Sequence, residues 1–212
     1  MSEPVRRIDQ AAESYAPKTK PEIISLTEEQ ARAEAEDMIE NRTVVFESVR
    51  YIDLPATRFI GRDVAGGPEQ YGEMWGRSGE FMPTLNAMTE YATEITDPCA
   101  LMHFSNRKHD ELGGEMHYIV GKFLKAGAPV PAGLDFWDMA PATVGLAVYR
   151  GEFTAMIDKC MMLSYDQFLA DGYEITYPLN YFHAEVYVKE NIPEDGVISK
   201  QGYLHAIRKK EG

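Results

Sequence analysis

Two stretches, "DLPATRFIG" (53–61) and "DMAPATVGL" (138–146), decide how this chain folds. Each sets Pro-Ala-Thr shortly after an aspartate and a long aliphatic residue, and the segments that follow also match. Around the first, "TVVFESVRYIDLPATRFIGRDVAG" is rich in β-branched and aromatic residues and reads as strand, with Pro55 at a break or bulge. Gly67-Pro68 then opens a helix whose apolar face carries Tyr71, Met74, Trp75 and Ser78 and resumes at Leu85 and Met88. The strands "ALMHFSN" and "EMHYIVGKFL" follow, joined by the polar loop "RKHDELGG". Around the second, "FWDMAPATVGLAVYRG" reads as strand. Phe153, Met156, Ile157, Cys160, Met161, Ser164 and Phe168 repeat at helical spacing, and Gly172 is placed to end that helix. "YFHAEVYVKE" and "GYLHAIRKK" then read as strands on either side of the turn "NIPEDG".

Strand, helix, strand, strand therefore occurs twice. Pro55 and Pro141 lie 86 positions apart, and Ala100 and Ala184 lie 84 apart. The expectation is an α+β fold of two tandem strand-helix-strand-strand modules, about 47–124 and 134–209. They would form a curved antiparallel sheet with helices on one face and a ligand groove on the other. "KAGAPVPAGL" (125–134) is the joint, as its Gly and Pro content suits a connector.

Strand alternation sorts the side chains. In "FHAEVYV", Phe182, Ala184, Val186 and Val188 share one face, and His183, Glu185 and Tyr187 share the other. The apolar set is expected against a helix and the second set toward a groove. By the 84-residue spacing, Met102 and Phe104 also go to the helix, and His103 takes the place matched by Tyr187. Trp75, Trp137, Tyr149, Tyr187, Tyr118 and His103 are the candidate walls around Glu185. His183 and His205 read as surface or structural positions.

Bulk properties narrow the classes. The 212 residues suffice for one sizeable domain or two small ones sharing a core. No apolar run approaches the ~18 residues of a membrane span, and the N-terminus lacks a signal-peptide centre. Two cysteines are too few for a disulfide scaffold, which points to the reducing cytoplasm. A net charge of −13 disfavours direct contact with nucleic acid and suits cationic ligands as well as solubility. The five histidines show no metal-binding spacing, so neither a metal nor a cofactor is expected. Residues 1–46 form an acidic extension with ten acidic and six basic side chains. One helix, about 27–42, is expected there, capped by Ser25 or Thr27, with Ala31, Ala35, Met38 and Ile39 as its apolar stripe. It would pack on the body or on a second subunit as a homodimer contact.

The segment "YDQFLADGYEITYPLNYFHAEVYV" (165–188) resembles the GyrI-like small-molecule-binding proteins, which share a fold with effector-binding domains of multidrug-responsive transcription regulators. Phe168, Leu169, Gly172, Tyr173, Pro178, Glu185 and Tyr187 carry the resemblance, supported by "YGEMWGRSGEF" (71–81) and "PATVGLAVYRGEF" (141–153). It covers about residues 47–209. It implies the doubled module and places Glu185 as the acid at the floor of a groove that holds lipophilic, often cationic compounds. Three functions follow from it: binding of such a compound without chemistry; hydrolysis of strained electrophiles such as cyclopropane-bearing alkylators, with Glu185 as base and Tyr187 or His103 as donor; and a gyrase-inhibitor-like protein contact.

Overall fold

The computed structural model describes residues 28–64, 69–104, 116–176, 182–187 and 198–211. The N-terminal tail, the capping positions Ser25 and Thr27, Gly67-Pro68, the polar loop 107–114, Pro178 and the turn 191–196 lie outside the described residues. The chain divides after Glu34 into two units. Of the first, the described residues are the opening turns of helix α1 (Glu28–Asn41). In the second unit the end of α1 buries Met38 and leaves Ile39 exposed, while the side chains of Ala31 and Ala35, the rest of the expected stripe, lie outside the described residues.

The second unit holds β1 (Val44–Leu54), β2 (Thr57–Val64), α2 (Glu69–Gly76), α3 (Met82–Ala87), β3 (Cys99–Phe104), β4 (Met116–Lys125), β5 (Asp135–Met139), β6 (Ala142–Glu152), α4 (Phe153–Ala170), β7 (Tyr173–Ile175), β8 (Phe182–Tyr187) and β9 (Ile198–Lys209). Eight of the nine strands run β1-β6-β9-β8-β3-β4-β2-β5, all antiparallel, and β7 pairs with the far end of β9. The fold is α+β, as expected. Glu152 caps α4 by accepting from the backbone N–H of Thr154 and Ala155, and Gly172, at φ +84°, takes the left-handed turn that ends it. Gly61 faces Gly121 across β2 and β4. A Cβ on Gly61 would stand 2.2 Å from the Val120 carbonyl oxygen, so the close approach of these strands requires glycine.

The strand order is a palindrome. Exchanging β1 with β5, β2 with β6, β3 with β8 and β4 with β9 returns the same order reversed. The halves are thus related by a pseudo-two-fold axis between the central strands β8 and β3. β1 ends at Leu54 and β5 at Met139; β2 begins at Thr57 and β6 at Ala142. Both offsets are 85 positions. Ala100 and Glu185, also 85 apart, face each other in the β3–β8 ladder, so the axis passes through that pair.

An odd offset corrects the sequence-based alignment. Pro-Ala-Thr marks the bend in both halves, but its 86-residue spacing is one out of structural register, and so is the pairing of Ala100 with Ala184. A one-residue slip exchanges the two faces of a strand. Met102 does lie on the helix side, packed against the same apolar cluster as Tyr187. Its counterpart at 85 is Tyr187, not Val186, and His103 does not take that place. Phe182, Ala184 and Val186 therefore face away from the helices, and His183, Glu185 and Tyr187 face toward them. On the helix-free face, side chains from eight strands and Ile95 close on one another with no helical contribution, Phe59 and Phe123 lying 4.8 Å apart. On the other face, α2 and α3 cover Val64, Tyr118 and Val120, while α4 covers Ala147, Tyr149 and Tyr203.

Candidate functional site

Between the two helical clusters, on the axis of the repeat, stands Glu185. The small side chain of its twin Ala100 opposes it in the ladder. Tyr187 donates its hydroxyl hydrogen bond to Glu185 Oε2 at 2.9 Å, and Tyr118 donates to the same oxygen at 3.2 Å. Trp75 on α2 donates its indole N–H to Tyr118 Oη at 3.0 Å. Tyr71, one helical turn before Trp75, stacks on Tyr118 with ring centroids 3.8 Å apart, and Trp75 lies 4.1 Å from Tyr187. Such ring pairs contribute ~0.5–1.5 kcal/mol each beyond area burial. Helical i, i+4 spacing sets both α2 rings over the same patch of sheet.

The electrostatics are those of a crowded acid. Burial pushes the Glu185 carboxyl above the usual carboxylate range, against the lowering effect of the two hydroxyls. Burial, and then the charge of Glu185, drive Tyr187 and Tyr118 far above the ordinary phenol value. Glu185 and Tyr187 nonetheless keep partial solvent contact. Both hydroxyls converge on Oε2, so Oε1 has no hydrogen-bond donor among the described residues, and no basic side chain pairs with the carboxylate there. Two imidazoles lie beside it. His183 opposes His205 across β8 and β9 at 5.6 Å between ring centroids. Both are buried rather than at the surface. Burial lowers His183 to about 4 and takes His205 well below its ordinary value.

Of the sequence candidates, the fold brings together Glu185, Tyr187, Tyr118 and Trp75. Tyr149 is buried in the same sheet two strands from Glu185, on β6, edge-on to Tyr203 at 6.1 Å and to Phe46 at 5.5 Å. Trp137 pairs with Phe59 at the sheet edge and packs on the opposite face, so it is no wall of this site. His103 pairs in backbone register with His117 and Phe182, and its side chain lies outside the described residues. The sequence reading missed Tyr71, whose i, i+4 relation to Trp75 was the available signal. It also missed Gln201 and Tyr203, which only the β8–β9 register sets beside Tyr187 and Glu185. Among the described residues no group of three or more His, Cys, Asp or Glu could hold a metal ion, and no helix is long and apolar enough to cross a membrane.

No protein-family model matches the chain, and no curated protein matches it. Solved structures do. SAV2435 bound to tetraphenylphosphonium superposes with a TM-score of 0.50 at 12% identity, covering 76% of this chain and 94% of that one. This chain has the fold of SAV2435. A conserved protein from Listeria innocua (TM-score 0.47, 11% identity, 76% and 92% covered) and the C-terminal domain of EcmrR (0.45, 11%, 78% and 99%) are similar at lower scores. The doubled α+β sheet is the one that the GyrI-like resemblance implied, but Glu185 lies on the helix side of the sheet, and the face away from the helices, where the groove was expected, is closed by apolar side chains. At such identities the likeness concerns the fold alone.

Proposed function

We propose that the protein binds lipophilic cations, the positive charge resting on Glu185 and the apolar body against Tyr71, Trp75, Tyr118 and Tyr187. The observation that carries this reading is the carboxylate at the repeat axis, ringed by aromatics, whose Oε1 has no hydrogen-bond donor among the described residues. A carboxylate in such surroundings loses hydration, and a cation arriving with the ligand restores what was lost. Aromatic faces add cation–π attraction of ~0.5–2 kcal/mol. SAV2435, which shares the fold, is bound to tetraphenylphosphonium, a cation of this kind.

Binding is favoured over hydrolysis of strained electrophiles. Of the two donors that hydrolysis could use, the His103 side chain lies outside the described residues, and the Tyr187 proton is given to Glu185 Oε2 by a hydroxyl whose raised pKa makes it a weak acid. The test is calorimetric titration with tetraphenylphosphonium and with neutral triphenylphosphine oxide, on the parent and on Glu185→Gln. The cation should bind the parent more tightly and lose about tenfold or more in the variant. Equal binding of the cation by both proteins would overturn the assignment of Glu185.

A further inference from the structure

The strand beside Glu185 carries a second set of unsatisfied atoms. Gln201, Tyr203 and His205 share the helix-side face of β9, and Tyr203 lies directly across from Glu185. Gln201 and His205 are therefore the two diagonal neighbours of Glu185, about 7–8 Å away along the ladder. Gln201 is 1% and His205 0% exposed, and each has one side-chain polar atom without a hydrogen-bond partner. Such atoms are rare in folded proteins. Two of them, on the residues that flank a carboxylate whose Oε1 has no donor among the described residues, make a pattern.

Counting protons gives the pattern its sign. Ser164 Oγ lies 2.6 Å from the Met161 carbonyl oxygen and 2.9 Å from His205 Nε2. A serine has one proton, and the carbonyl can only accept, so Ser164 donates to Met161 and accepts from His205. His205 is then the Nε2–H tautomer, and its orphan Nδ1 is a lone pair. Tyr203 Oη lies 3.0 Å from the Met156 carbonyl oxygen and 3.3 Å from the Gln201 amide. Its single proton serves the shorter contact. Toward Gln201 it is then an acceptor. The structure sets the amide oxygen there and leaves Nε2 as the orphan; turning the amide over lets its NH2 donate to Tyr203 and makes the amide oxygen the orphan atom. All three open positions, on Glu185, Gln201 and His205, are then acceptors.

We propose that the site selects organic cations that carry N–H donors, protonated amines or amidines, over fully alkylated cations of the same shape. This rests on the cation-binding reading above and names the ligand class within it. A quaternary ammonium or phosphonium satisfies the charge of Glu185 but none of the three lone pairs. An ammonium or amidinium satisfies the charge and donates as well.

Calorimetry with naphthylmethylammonium and its N-trimethyl analogue tests this, with tetraphenylphosphonium as a third ligand. The parent should bind the N–H cation about 10- to 100-fold more tightly than the trimethyl one, the gain expected of one charged hydrogen bond. His205→Phe keeps a ring without the lone pair, and Gln201→Met keeps an unbranched chain without the amide. Each variant shown by thermal melting to fold should narrow the preference several-fold, and either alone suffices. Equal affinity of the parent for the matched pair, or a preference unchanged in the folded variants, overturns the proposal. If tetraphenylphosphonium alone binds, in a Glu185-dependent way, the proposal falls and the cation-binding reading stands. If none of the three binds, both fall.

Discussion

The two faces of the sheet are built from the same strands and differ in kind. Away from the helices, Phe59, Phe123, Phe182, Leu101 and Leu204 meet as strand residues closing on one another, buried and apolar. Toward the helices, the central strands offer His183, Glu185, Tyr187, Gln201 and His205 to a strip between α2 and α4. One face supplies cohesion; the other holds polar groups that apolar packing alone would not retain. Dispersion and hydrophobic burial on the first face offset the desolvation of polar side chains on the second.

Phe123→Ala should have the largest effect, because it opens a cavity in the face that holds the sheet together. A loss of about 3–5 kcal/mol in urea unfolding is expected. A loss below 1 kcal/mol would erase the distinction between the faces. Acid should act next, and through the helix side. His183 binds its proton less well folded than unfolded. Its contribution is present above its ordinary value of 6.5 and lost as pH falls through about 4. Unfolding free energies measured across that window should drop by roughly 3 kcal/mol for this group, and His183→Phe should flatten the curve. Glu185→Gln should have a smaller effect of opposite sign. The raised carboxyl means the folded parent gains stability as pH falls, so the variant should be up to ~1 kcal/mol more stable at neutral pH and lose that advantage in acid. Denaturation at both pH values checks this, and an advantage that persists in acid would detach it from ionisation. The smallest effect belongs to the rim: Asp138→Asn, which removes the exposed partner of Arg58 at 2.6 Å, should cost under about 1 kcal/mol by thermal melting.

Much of the fold was legible because its signals are local. The period of α4 from Phe153 to Phe168, the stop at Gly172 and the repeated element order each depend on neighbours within one segment. Glu185 and Tyr187 were legible as a same-face pair for the same reason. Their partners were less so. Tyr118 lies 67 positions from Glu185 in sequence and meets it only because β3 joins β4 to β8. Trp137 shows the reverse: an aromatic near a module boundary reads like a wall until register sets it on the other face.

The amino-acid sequence by itself determined the doubling, the helix and closing strands of each half and the acid at the penultimate strand, because periodicity and turn chemistry are written in adjacent residues. What it read as one bent strand per half is two, β1 with β2 and β5 with β6, parted at the proline. Only the tertiary structure decided the facing. The halves superpose at 85 positions rather than 84 or 86, and with a side-chain period of two, one residue of register separates the helix side of a strand from its back.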